Sequence, residues 1–87
     1  MGHVVRFTLY GRVYCHLCDD MERDLQALVD QLGGEWMIDL EVVDVDLDAG
    51  YEARFGERVP VLCAGERELC HYFLDAAAVR AYLNEIL

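Results

Sequence analysis

The chain has 87 residues and sets 17 Asp and Glu against 7 basic residues, all of them arginine, for a formal charge of −10. With 55% hydrophobic residues and one proline it has the apolar surface to fold as a single domain over residues 1–87. The negative balance and the scattered arginines all but exclude nucleic-acid binding, and no apolar run reaches the ~18 residues of a membrane span.

Taken in chain order, His3 to Leu9 is short, β-branched and apolar, and reads as a first strand. Tyr10 to Tyr14 reads as a connector. Leu17, Met21, Leu25, Leu28 and Leu32 then recur at spacings of four, four, three and four, the apolar stripe of a helix. This helix begins at or just after Cys15, carries Asp19, Asp20, Glu22 and Asp24 near its positive end, and stops at Gly33-Gly34. Trp36 to Leu47 reads as a second strand whose alternation slips by one at Val42-Val43, which implies a bulge, a twist or an end buried on both faces. Asp48 to Gly56 is a short helical turn. Val59 to Ala64 is a third strand containing Pro60, Gly65-Glu66 a tight turn, and Arg67 to His71 a fourth strand. A last helix follows, with Asp75 as its N-cap and Val79, Leu83 and Ile86 as its apolar face. The order is βαβαββα. Its crossover makes the first two strands parallel, and its short turn makes the last two antiparallel.

Four cysteines in a chain with no recognisable export signal point to chemistry or metal binding, and to a cytoplasmic location, rather than to a disulfide framework. Cys15 and Cys18 form a Cys-x-x-Cys pair; six residues separate Cys63 from Cys70. At the start of a helix, free backbone N–H groups and the dipole stabilise the thiolate of Cys15, the reactive form in disulfide exchange. Cys18, one turn on, is placed to attack a mixed disulfide on Cys15. Two other readings stay open: a metal module, in which the pair joins Cys70 or His71 around zinc or binds an iron–sulfur cluster across a dimer, and an adaptor without turnover. The Cys63–Cys70 spacing is not that of a zinc knuckle.

A strand ending in Tyr10-Gly11-Arg12, the run Cys15-His16-Leu17-Cys18 opening a helix, and Arg58-Val59-Pro60 opening a strand about forty residues later together resemble a glutaredoxin. More narrowly, the chain is similar to the short bacterial glutaredoxin-like proteins of the thioredoxin-fold superfamily, over nearly its whole length. The resemblance implies an α/β, thioredoxin-like βαβαββα fold with a four-stranded mixed sheet flanked by helices. The sheet order would be second, first, third, fourth strand, with Pro60 cis and packed against the active-site sulfurs.

The resemblance also implies an oxidoreductase with Cys15 as nucleophile and Cys18 as resolving thiol, tuned by His16 and Pro60. His16 stands where glutaredoxins usually carry proline; protonated, it would lower the pKa of Cys15. Leu17 replaces the usual aromatic. Arg12 aligns with a glutathione-contacting basic residue, Arg58 precedes the strand, Val59 offers its backbone to a substrate cysteine, and Tyr14 flanks the loop. The expected partners are protein thiols or disulfides, with glutathione as a candidate co-substrate, acting on a monomer that holds no cofactor.

Where glutaredoxins carry a glycine pair, this chain has Cys70 to Asp75, so close backbone approach by a ligand is harder. Asp44, Asp46 and Asp48 end the second strand on the edge that carries Cys15, where negative charge repels anionic glutathione and favours neutral or basic protein thiols. Cys63 reads as a core residue; a two-residue turn puts it opposite Glu68 and Cys70 opposite Val61, whereas a longer loop would shift the register and could set the two cysteines opposite each other. Trp36, Tyr51, Phe55, Tyr82, Tyr10 and Tyr14 are expected to pack.

Overall fold

Val5, Phe7 and Leu9 alternate with polar or half-exposed neighbours, so the first strand buries one face strongly; each of the three is at most 3% exposed. In a computed structural model, described over residues 3–34 and 36–86, that strand (β1, His3–Gly11) is the second of four in the order β2-β1-β3-β4. The other strands are β2 (Trp36–Asp44), β3 (Val61–Ala64) and β4 (Arg67–His71); the helices are α1 (His16–Leu32), α2 (Ala49–Phe55) and α3 (Ala76–Glu85). β1 pairs parallel with β2, while β3 pairs antiparallel with both β1 and β4. The α/β architecture and the strand order are those expected. No helix among the described residues is long and apolar enough to cross a membrane.

The sheet buries two faces of unequal size. On one, Met21, Leu25 and Leu28 of α1 and Val79 and Leu83 of α3 pack on Val5, Phe7, Leu9 and Leu62. On the other, α2 brings Phe55 against Val61, Cys63 and Val45, with Tyr10 stacked on Phe55 at 4.1 Å. Burying each large apolar side chain contributes on the order of 1.5–3 kcal/mol. α1 shows how sequence sets the larger layer: its leucine stripe is the buried stripe, and Gly33 ends it at φ 82, a left-handed geometry that glycine adopts at little cost.

Five boundaries and contacts differ from expectation. β1 runs on to Gly11. β2 stops at Asp44, and Val45–Leu47 form a 3₁₀ turn. The slip at Val42-Val43 is no bulge, since the register with β1 continues unbroken to the Gly11–Asp44 pair. It reflects a change of covering helix: Ile38 and Leu40 lie under the α1 layer, whereas Val45 is fully buried under α2. β3 starts at Val61, after the cis Val59–Pro60 bond, rather than at Val59. Ile86 is the C-cap of α3 and is exposed, leaving Val79 and Leu83 as the buried positions of that helix.

The fourth-strand register also differs. Cys63 opposes Glu68 as expected, but Cys70 opposes Leu62 rather than Val61, because the pairing shifts between Leu62 and Cys63. An irregularity of one residue moves the rest of a strand to the other face. Cys70 therefore joins the α1–α3 layer while Cys63 sits in the α2 layer. The two buried thiols lie on opposite sides of the sheet, and both are free.

Candidate functional site

Cys15 is the N-cap of α1. Its backbone is extended, and its Sγ accepts a hydrogen bond from the Cys18 N–H at 3.1 Å. A sulfur in this position satisfies one of the helix's unpaired donors and gains from the positive end of the dipole, which favours a thiolate. Cys15 and Cys18 are joined as a disulfide, their Cα atoms 5.2 Å apart. Cys15 is half-buried and Cys18 buried, so an incoming partner meets Cys15 first. This is the order that a nucleophile and a resolving thiol need.

Gly11 closes in on the Cys18 sulfur. A Cβ added at Gly11 would lie 2.9 Å from Cys18 Sγ, closer than real Cβ atoms come. Only glycine allows the end of β1 to pass so near the sulfur. Tyr10 pairs with Val61, so the cis Pro60, one residue before Val61, lies beside the end of β1 that touches Cys18. Pro60 is fully buried, Val59 half-buried against the α2 layer. His16 is exposed on the first turn and Leu17 half-buried. Tyr14 departs from the packing expected of it: it is fully exposed, with a left-handed φ of 58°. Tyr10 does pack, between Tyr51 and Phe55.

Arg12 and Arg58 are both engaged within the chain. Arg12 Nη2 donates to Asp46 Oδ1 at 3.1 Å and lies 3.7 Å from Glu52 Oε1. Arg58 pairs with Glu68 through one nitrogen and donates to the Arg54 carbonyl at 3.0 Å through the other. Glu68 also meets His71 Nδ1 at 3.0 Å through its second oxygen. The shifted register makes that bridge possible, since Glu68 and His71 both end on the α2 side. Asp44 and Asp48 are spent locally as well, accepting backbone N–H bonds that cap the 3₁₀ turn and α2. Sequence reasoning placed the aspartates at this edge. It missed Gly11's contact and the Glu68 bridge; a glycine at the end of a strand facing the pair was the one available signal.

Where glutaredoxins carry glycines, Tyr72 holds a left-handed φ of 65°, the conformation glycine favours, and donates its N–H to Pro60 O at 2.9 Å. Its hydroxyl donates to Glu57 O at 3.0 Å and its ring meets His71 edge-on. Asp75 caps α3 through Ala78 N–H, as expected. Burial raises the Cys63 thiol above its ordinary range, reinforced by the Glu68 charge and opposed by Arg54 and Arg58; burial does the same to Cys70. Neither thiol is poised for exchange. Among the described residues no group of three or more His, Cys, Asp and Glu side chains is arranged to hold a metal ion, and Cys70 lies in the core layer rather than with the pair.

A family described as "Glutaredoxin-like domain (DUF836)" matches residues 6–84. Uncharacterized proteins of Mycobacterium bovis and Mycobacterium tuberculosis are 32% identical over 74 residues, covering 84% of this chain and 76% of theirs. The solution structure of protein Ne2328 from Nitrosomonas europaea superposes with a TM-score of 0.79 at 36% identity, covering 94% of both chains. A structural-genomics target protein from X. campestris gives 0.62 at 39% identity, over 91% of this chain and 96% of that one. Thioredoxin 1 from Thermosipho africanus, at 20% identity and a TM-score of 0.57, shares the fold.

Proposed function

This chain belongs to the Glutaredoxin-like domain family (DUF836), and from that premise we propose that it is a small dithiol oxidoreductase acting on protein or glutathione mixed disulfides. The observation that carries the reading is Cys15 as both the N-cap of α1 and the more open partner of the Cys15–Cys18 disulfide.

In the reduced protein the Cys15 thiolate attacks one sulfur of a substrate disulfide and expels the other as a thiolate, which takes up a proton. Cys18 then gives up its proton and attacks Cys15 Sγ, releasing the second substrate thiol and leaving the Cys15–Cys18 disulfide. Two electrons pass from the protein to the substrate, and an external dithiol restores the reduced pair. The Cys18 N–H, 3.1 Å from Cys15 Sγ, supports the thiolate in the first step. A half-buried Val59 beside cis Pro60 leaves backbone at the rim for an extended substrate segment.

Trapping tests the assignment. Cys18→Ser is expected to accumulate a mixed disulfide on Cys15, and Cys15→Ser to lose exchange, both read by intact mass with and without dithiothreitol. If Cys15→Ser keeps activity while Cys18→Ser loses it, the roles are reversed. If the wild-type pair never cycles between thiol and disulfide, the redox reading falls.

A further inference from the structure

Carboxylates outnumber arginines in the pocket beside the disulfide. A pocket of about 190 Å³ opens beside Cys18, with Leu9, Val13, Val42 and Val43 as apolar lining and Asp19, Glu22 and Asp44 as carboxylates. Arg12 also lines it, with Nη2 paired to Asp46 at 3.1 Å and 3.7 Å from Glu52, and with its buried Nε unpartnered among the described residues. On the other flank, Arg58 immediately precedes Val59 and the cis Pro60, and its guanidinium is committed to Glu68 and the Arg54 carbonyl. Glu68 is held in turn by the register shift and by His71. Arg12 and Arg58 are thus each paired with a carboxylate of the same chain, while Asp19, Glu22, Asp44 and Asp48 face no arginine among the described ion pairs.

Resting on the dithiol reading above, we propose that the preferred substrates are disulfides flanked by positive charge, and that Asp46, Glu52 and Glu68 set this preference by masking Arg12 and Arg58. The physical cause is the field at the sulfurs. Unmasked, two arginines would offset the nearby carboxylates and attract an anion; masked, they leave a net negative rim that concentrates cations. A lysine or arginine next to a partner's cysteine also suits the pocket, since its apolar stem can lie on Val13, Val42 and Val43 while its charged end reaches the carboxylates. Such a substrate disulfide is reduced to two thiols as the Cys15–Cys18 pair becomes a disulfide, so the chemistry is unchanged and only the encounter is biased.

The experiment uses the reduced wild-type chain with three small disulfides: cystamine (cationic), hydroxyethyl disulfide (neutral) and glutathione disulfide (anionic). Each rate is divided by that of the same disulfide with free mercaptoethanol, which removes intrinsic reactivity. The expected order is cystamine, hydroxyethyl disulfide, glutathione disulfide, with cystamine ahead of glutathione disulfide by roughly tenfold at low salt and the gap closing as ionic strength rises. Glu68→Gln and Asp46→Asn are each expected to cut the cystamine-to-glutathione ratio about threefold or more. Glu66→Gln, the same charge change in the β3–β4 turn, is expected to leave that ratio as it is. Equal normalised rates at all salt concentrations, or a Glu66→Gln effect as large as that of Glu68→Gln, would overturn the proposal while leaving dithiol chemistry standing. No exchange with any of the three would instead remove the reading on which it rests.

Discussion

Gly11 and Cys18 touch across the top of the sheet so closely that a side chain on the first would meet the sulfur of the second at 2.9 Å and its Cβ at 3.3 Å. β1 delivers the glycine and α1 the cysteine, so this contact ties the redox pair directly to the central strand. Cys18 has little room to give, because its sulfur is bonded to Cys15 and its backbone lies in the first turn of α1.

Gly11→Ala is therefore expected to lower stability by about 1–3 kcal/mol, the usual cost of overpacking a tight interior site. Urea unfolding of the oxidised protein measures it. A loss under ~0.5 kcal/mol would show that the first turn of α1 moves freely.

Capping by Cys15 has a signature separate from the disulfide. Cys15→Ser and Cys15→Ala both remove the bridge, but serine keeps an acceptor for the Cys18 N–H. The serine variant is expected to be the more stable by about 1 kcal/mol, within the range of N-cap deletions. Equal stabilities would mean that the 3.1 Å contact contributes nothing to the helix.

Asp48 caps α2 with two bonds, to Gly50 N at 2.8 Å and Tyr51 N at 3.2 Å. Asp48→Ala is expected to cost about 1 kcal/mol. It also loosens Phe55 and Glu52, which sit on that helix. Loss of the near-ultraviolet circular dichroism from the Tyr10–Tyr51–Phe55 cluster, read below the unfolding transition, checks the second effect.

The buried thiols carry a pH prediction. Burial raises both Cys63 and Cys70, so in the folded chain they stay protonated where the unfolded chain ionises. Folded protein then binds more protons than unfolded, and stability falls as pH rises past the ordinary thiol value near ~8.5. Below that value the contribution is fully present. A Cys63→Ala, Cys70→Ala double variant is expected to be less stable at neutral pH yet flatter in stability between pH ~8 and ~10. In native reduced wild type, iodoacetamide should reach Cys15 first and leave Cys63 and Cys70 unlabelled until unfolding. Early labelling of either would contradict their placement in the two core layers.

Much of this molecule is written in short-range pattern. The leucine stripe of α1, the caps at Cys15 and Asp75, the stop at Gly33 and the alternation in β1 all depend on residues within a turn or two of one another, and they sit where periodicity and capping chemistry place them. The Cys15–Cys18 pair at a helix start belongs to the same class. Strand order and the cis Pro60 were readable through the glutaredoxin resemblance, not from composition or spacing.

Tertiary structure alone decided what each charge does. Arg12 and Asp46 lie 34 residues apart, and their pairing depends on where β1 ends, where β2 gives way to a 3₁₀ turn, and how α2 docks. The register shift between β3 and β4 is one residue long, yet it sends Cys63 and Cys70 to opposite faces and aligns Glu68 with both Arg58 and His71. No local propensity encodes such a shift, because its energy comes from packing on both sides of the sheet at once. The sequence by itself determined a βαβαββα chain with a dithiol at a helix N-terminus. The assembled sheet decided that Arg12 and Arg58 are each paired with a carboxylate of the same chain, because ion pairs follow the register of elements that meet only once the core has formed.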